Sequence, residues 1–237
     1  MEEQKNLMQT EMLDTIAGFT TVAMLGMKKS GKTYGAAILE RKIKKKTYIF
    51  DTVGAFTEKK LVTNALFVKD LKVGNKDSVI MLLNKTYSMP QKTVVLYVFG
   101  FSRQDLVELA NIFSEWALKK GNLAAIFDEV GDYLSQTKEV YADELERLIR
   151  WGRNKEVQPI ILISQRPQKV NKEALALSDA YVVFRLYHPL DRRKVKDLTG
   201  DETDAFDSKV KSMPVRHSIV FTIDDPTPIN YVFPELK

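Results

Sequence analysis

The sequence predicts an α/β fold: a central, mostly parallel β-sheet with helices on both faces and a C-terminal β-hairpin. Short apolar runs that do not alternate with polar residues are separated by longer amphipathic stretches. That is the pattern of strands buried on both faces and joined by helices. A glycine-rich loop stands between the first such run and the first helical stretch. Two further runs near the C-terminus are separated by Asp224-Asp225-Pro226, a spacing and turn that read as a hairpin.

The elements follow in order. Residues 20–25 (TTVAML) read as a buried strand, and 32–45 as a helix with a basic C-terminal end, where cations are favoured. Residues 47–51 (TYIFD) form a second strand. The pattern weakens over 52–92, where 79–83 fit either a strand or a short helix. Residues 93–99 (TVVLYVF) are a β-rich run. Ser102 followed by Asp105 resembles a capping box and opens a helix to about Lys119, which Gly121-Asn122 breaks. Residues 123–128 (LAAIFD) are a short strand ending in an acid, and 139–150 a charged helix. Residues 159–164 (PIILIS) are a buried strand with Pro159 tolerated at its first position. A strand over 179–186, a basic helix over 190–198 and the runs 217–223 and 229–233 complete the chain.

The 237 residues fit a single domain, with a core over about 20–200 and a hairpin-bearing extension over 201–237. No cysteine is present, which excludes disulfides and thiolate metal sites and suits a reducing cytosol. No apolar run approaches the roughly 20 residues of a membrane span, and the N-terminus lacks the pattern of a signal peptide. The expected location is therefore cytoplasmic. The net charge of +5 permits an acidic partner without demanding one. His188 and His217 stand far apart with no acid at metal-ligand spacing, and no G-x-S-x-G, H-E-x-x-H or zinc-knuckle pattern occurs.

Gly26, Met27, Lys28, Lys29, Ser30, Gly31, Lys32 and Thr33 match the pattern G-x-x-x-x-G-K-[ST]. Glycines let such a loop wind tightly, so successive N–H groups point at phosphate oxygens, and the following helix adds its positive end. Lys32 is placed to reach the β and γ phosphates of ATP, and Thr33 to offer a hydroxyl to Mg²⁺. Asp128 ends an apolar strand and can hold Mg²⁺ through water. Glu129, next to it, can activate the attacking water as a general base. Gln165 follows the strand that ends in Ser164, where an amide can touch the γ phosphate or the lytic water. Arg166 can relay that state or cap a neighbouring carboxylate. Trp116 and Trp151 lie on helical stretches and fit core or interface positions.

The segments GMKKSGKT, IFDTVGAF at 49–56, LAAIFDEV, GRNKEV with ILISQRP, and SDAYVVFRLYHPLD resemble the HerA/FtsK superfamily of DNA-translocating ATPases over about residues 20–200. The more specific parts are the S-Q-R-P ending after a Gly-Arg, Asp51 at the end of the second strand, and V-V-F-R-L-x-x-P. The resemblance implies a RecA-like P-loop NTPase working as a ring, often of six subunits, that moves double-stranded DNA. It also implies a basic residue supplied in trans: Arg153 holds the matching Gly-Arg position, with Arg150 one turn earlier. Lys29, a spare lysine inside the loop, is an alternative supplied in cis. The chain shows neither the β-barrel of cellular HerA nor the membrane spans and winged helix of full FtsK. In size it is most similar to the genome-packaging ATPases of tailless, membrane-containing icosahedral viruses. That implies a capsid or portal-like vertex partner, and the host cytoplasm or the virion as its location. A cellular or plasmid role in DNA transfer, processing or defence, and an ATP-dependent assembly or secretion factor, remain alternatives.

DNA passing through a ring needs only sequence-independent phosphate contacts. The basic clusters are Lys42 with 44–46, Lys59-Lys60, and 192–194 with Lys196. The lysine-rich stretch 59–92 is the preferred source of pore-facing loops.

Overall fold

The computed structural model describes residues 2–201, 203–225 and 227–236. Its strands are β1 (Thr21–Leu25), β2 (Lys46–Asp51), β3 (Ala65–Val68), β4 (Thr93–Tyr97), β5 (Leu123–Phe127), β6 (Val157–Ser164), β7 (Ala180–Val183), β8 (His217–Thr222) and β9 (Ile229–Val232). They form one sheet in the order β3-β4-β2-β5-β6-β1-β7-β8-β9. The run from β3 to β7 is parallel, whereas β8 pairs antiparallel with β7, and β9 antiparallel with β8. The mostly parallel α/β sheet and the C-terminal hairpin are therefore both present. Of the residues assigned to the hairpin turn, Pro226 lies outside the described residues.

Every residue of β1 and β5 is buried, which explains their unbroken apolar runs. Successive residues face opposite sides. Ala23, Leu25, Ala125, Phe127, Ile160 and Leu162 join one core. Val22, Met24, Ala124, Ile126, Ile161 and Ile163 join the other. Helix α5 (Arg103–Lys120) and helix α6 (Asp143–Trp151) cover the first face through Leu109, Phe113, Leu145 and Leu148. Helix α1 (Glu2–Gly18) and helix α2 (Lys32–Lys42) cover the second through Leu13, Ile16, Ala36 and Leu39. The capping box is present at α5: Asp105 N–H donates to Ser102 Oγ at 3.1 Å, and Ser102 N–H to Asp105 Oδ2 at 3.2 Å.

Several expectations are revised. Helix α2 ends at Lys42 rather than at residue 45, because Ile43 turns extended. The lysines beyond it bind neighbours instead of continuing the helix: Lys45 Nζ donates to Glu156 O at 2.7 Å, and Lys46 Nζ to Met89 O at 2.7 Å. The ambiguous 79–83 lies inside helix α4 (Lys76–Tyr87), capped by Asn75. The charged stretch from 139 becomes α-helical only at Asp143, because 133–142 pairs with itself: Ser135 N–H donates to Val140 O and Ala142 N–H to Tyr133 O. Pro159 is the third residue of β6, not the first, at the irregularity where the β5 ladder shifts register. Trp116 is a core residue against Tyr48 and Phe113, while Trp151 is half-exposed under Arg147.

Candidate nucleotide-binding site

Parallel strands direct their carboxyl ends to one edge of the sheet, so β1, β2, β5, β6 and β7 all deliver their following residues there. The loop 26–33 leaves β1 at this edge. It is anchored on both sides: Gly26 N–H donates to Ser164 O at 3.1 Å, and Met27 N–H to Arg185 O at 2.8 Å. A Cβ on Gly26 would lie 2.7 Å from Phe184 Cβ, so only glycine fits between β6 and β7. Gly31 and Lys29 take left-handed backbone conformations, which wind the loop into the start of α2.

Lys32 is buried and its ammonium donates to Met27 O at 2.9 Å. Burial lowers its pKa, and the carboxylates of Glu129 and Asp128 oppose that shift. Asp128 follows β5 and is fully buried, with neither carboxylate oxygen hydrogen-bonded. Its backbone carbonyl is held instead, accepting from Tyr133 OH at 3.0 Å and Thr52 Oγ1 at 3.2 Å. Desolvation, then Glu129 and Asp51, push its pKa well above the ordinary carboxylate value, with Lys32 opposing. Glu129 sits in a left-handed backbone conformation (φ 45°) that turns its side chain toward β6, where Oε2 accepts from Gln165 N–H at 3.2 Å. Its pKa is also raised, chiefly by burial.

Lys32, Asp128, Glu129 and Gln165 are thus brought together from three strand ends. β6 lies between β1 and β5, so Gln165 stands between the loop and the acids. A cleft of about 530 Å³ opens over the loop, lined by Lys28, Lys29, Lys32, Thr33 and Gln165 among others. Asp51 has a structural task. Its carboxylate caps the short helix α3 (Ala55–Glu58), accepting from Thr57 N–H at 2.8 Å and Phe56 N–H at 3.3 Å. Of the two roles open to Arg166, the geometry shows the capping one: its Nε donates to the buried Asp191 at 3.1 Å.

Arg153 is not brought to this site. It lies in the turn Gly152–Lys155 and lines a depression with Thr20, Gln158 and Asp179, at the amino ends of the strands. Any role at a nucleotide requires a second copy of the chain. Of the basic clusters, Lys59 lines the cleft and Lys42 pairs with Asp14 at 3.1 Å. Arg192 pairs with Asp207 at 2.6 Å, while Arg193 and Lys196 line a separate depression. Stretch 59–92 carries β3 and α4 at the sheet edge. Arg216 and Tyr34 also line the cleft and were not singled out from the sequence. No local motif marks Arg216, because only the antiparallel pairing of β8 carries it there.

The unpaired Asp128 carboxylate carries a measurable cost. A carboxyl whose folded pKa is raised loses stability as pH rises from its ordinary range toward the raised value. Asp128→Asn is therefore expected to raise the melting temperature of the nucleotide-free protein at neutral pH. Relief of about 1 kcal/mol corresponds to about 2–4 °C at this size. Calorimetry showing a lowered melting temperature would mean that the buried carboxylate is not penalised.

No family model matches the sequence, and curated proteins yield no significant match. Solved structures do match. One is the genome-packaging NTPase B204 of Sulfolobus turreted icosahedral virus 2 with sulfate, at 18% identity over 92% of this chain and 98% of that one, TM-score 0.63. Another is the DNA-packaging ATPase B204 of Sulfolobus turreted icosahedral virus, at 16% identity over 91% and 98%, TM-score 0.63. VirB4 of Thermoanaerobacter pseudethanolicus matches at 10% identity over 91% and 89%, TM-score 0.67. This chain therefore shares the RecA-like P-loop NTPase fold of these proteins. Among the described residues, no helix is long and apolar enough to cross a membrane.

Proposed function

We propose that this chain is an ATP hydrolase that drives movement of double-stranded DNA, as a viral genome-packaging ATPase. The observation that carries the reading is the convergence of Lys32, the unpaired Asp128 and the Glu129–Gln165 pair at the edge where the loop 26–33 opens. The similar B204 fold has been crystallised with AMPPCP and with ATP-γS, which supports a nucleotide in the corresponding cleft here.

In this reading Gly26 to Thr33 cradle the phosphates. Lys32 leaves Met27 O for the β and γ oxygens, since a free phosphate oxygen is a stronger partner for an ammonium than a neutral carbonyl. Asp128 fits a metal site, being a buried carboxylate with both oxygens available, and with Thr33 it would hold Mg²⁺. The ion, when bound, neutralises charge on the phosphates. Glu129 takes the proton of the attacking water. Its raised pKa makes it a better base than an exposed glutamate. The Gln165 backbone N–H orients Glu129, and its side-chain amide would sense the γ phosphate. Arg153 would complete a neighbour's site in a ring, often of six subunits, with Lys29 as the alternative in cis.

Duplex DNA is expected to raise the steady-state ATPase rate. The stimulation should fall steeply as salt increases, because phosphate contacts release counterions. Turnover indifferent to DNA at low salt would favour the ATP-dependent assembly factor instead. Light scattering on the same samples reads the ring.

A further inference from the structure

The start of the C-terminal hairpin carries a charged residue, Arg216, to the cleft. β8 is antiparallel to the strands before it, so its amino end lies where their carboxyl ends lie. Arg216 precedes β8 and is packed on the phosphate loop: its N–H donates to Ser30 O at 3.0 Å. A Cβ on Gly31 would lie 2.9 Å from that nitrogen. Arg216 holds a left-handed conformation (φ 67°), and its carbonyl accepts from Phe233 N–H at 3.0 Å. Backbone contacts on both sides thus fix the base of a side chain that lines the cleft with Lys28, Lys29, Lys32 and Thr33.

The guanidinium is engaged by an anion from the chain itself. Its Nη2 donates to Glu235 Oε1 at 3.1 Å, although the Glu235 side chain is 80% exposed. Next to Glu235, Leu236 N–H donates to the hydroxyl of Tyr34, the residue directly after Thr33. The guanidinium lies 5.9 Å from the centre of the Tyr34 ring. The segment after β9 is therefore pinned at two adjacent residues to groups at the rim of the cleft.

We infer that Arg216 is a nucleotide-binding cation supplied in cis, and that Glu235 occupies it as a stand-in carboxylate until a nucleoside triphosphate displaces it. The inference rests on the reading of the cleft as a triphosphate site. The exchange is favoured because an ion pair whose carboxylate is exposed is weak, whereas a polyphosphate offers more charge and engages the neighbouring lysines at the same time. Release of Glu235 removes one anchor of the 234–236 segment, leaving the Leu236 N–H bond to Tyr34 and the packing of Leu236 on the core, so nucleotide occupancy alters how the segment is held.

The test is titration of mant-ATP with Mg²⁺ against the full chain, the variants Arg216→Gln and Glu235→Gln, and the double variant. Arg216→Gln is expected to weaken binding about tenfold. Glu235→Gln is expected to tighten it, and the double variant to bind as Arg216→Gln alone. Hydrogen exchange should show the Leu236 amide less protected with nucleotide bound. If Arg216→Gln lowers stability, Arg216→Lys replaces it: it keeps the charge without the two-pronged geometry and should fall between wild type and Gln. Wild-type binding with all variants alike would overturn this inference alone. The same holds if Glu235→Gln tightens binding as strongly without Arg216. A wild-type chain that binds no mant-ATP would overturn the cleft reading as well.

Discussion

Lys32→Ala is expected to abolish nucleotide turnover. Among the described residues, Lys32 is the buried cation that faces both Asp128 and Glu129. Its ammonium is held by Met27 O, inside the loop that would surround the phosphates. In the proposed site, alanine would remove the charge that meets the β and γ oxygens and leave the two acids to repel the incoming phosphate. Loss of one preorganised donor of this kind costs on the order of 10²–10³ in kcat. Weaker binding comes on top, so phosphate release should drop to background and mant-ATP titration should show little or no saturable signal. Folding should survive, since the loop's anchors to Ser164 and Arg185 are backbone bonds that alanine leaves in place. Wild-type rates in a folded Lys32→Ala protein would remove the loop from the chemistry.

Glu129→Gln is expected to separate binding from hydrolysis. Glutamine keeps an acceptor oxygen for the Gln165 N–H, so the local geometry is retained. It cannot take a proton from water, and the loss should be about 10²–10⁴ in kcat. ATP affinity should hold or tighten, because one negative charge leaves the neighbourhood of the phosphates. A pH profile gives a second check. As the proposed base Glu129 would have to be ionised, and burial raises its pKa. The rate should therefore fall on the acid side at a pH above the usual glutamate value, as the carboxylate takes up its proton. In Glu129→Gln that limb should vanish along with the rate. Single-turnover measurement with radiolabelled ATP reads both binding and cleavage. Unchanged cleavage would assign the base elsewhere.

The parts of this site that could be read from the sequence are those in which neighbouring residues act together. The loop 26–33 is a local pattern, because its proposed task needs only consecutive N–H groups and one lysine. Asp128 and Glu129 could be placed because an acid at the end of a doubly buried strand has only one edge of the sheet to occupy. The capping box at Ser102 is local in the same sense. Short or half-buried elements left no such mark. β3 has four residues, all partly exposed, and α3 and α7 (Lys172–Ala176) are too brief to show a period. α1 and α9 (Asp204–Ser212) are likewise not marked by a local pattern.

The amino-acid sequence by itself determined that this chain carries a glycine-rich loop between a buried strand and a helix, with an acidic pair at the end of another buried strand. Strand order was decided only by the tertiary structure, since a parallel ladder can pair strands far apart in the chain and no local pattern records which neighbour each one takes. That order puts β6 between β1 and β5, which sets Gln165 against Glu129. The reversed direction of β8 brings Arg216 to the cleft, where it pairs at 3.1 Å with Glu235, 19 residues away in the chain. The same geometry leaves Arg153 at the opposite edge, because a residue before a parallel strand and one after it are separated by the strand's whole length.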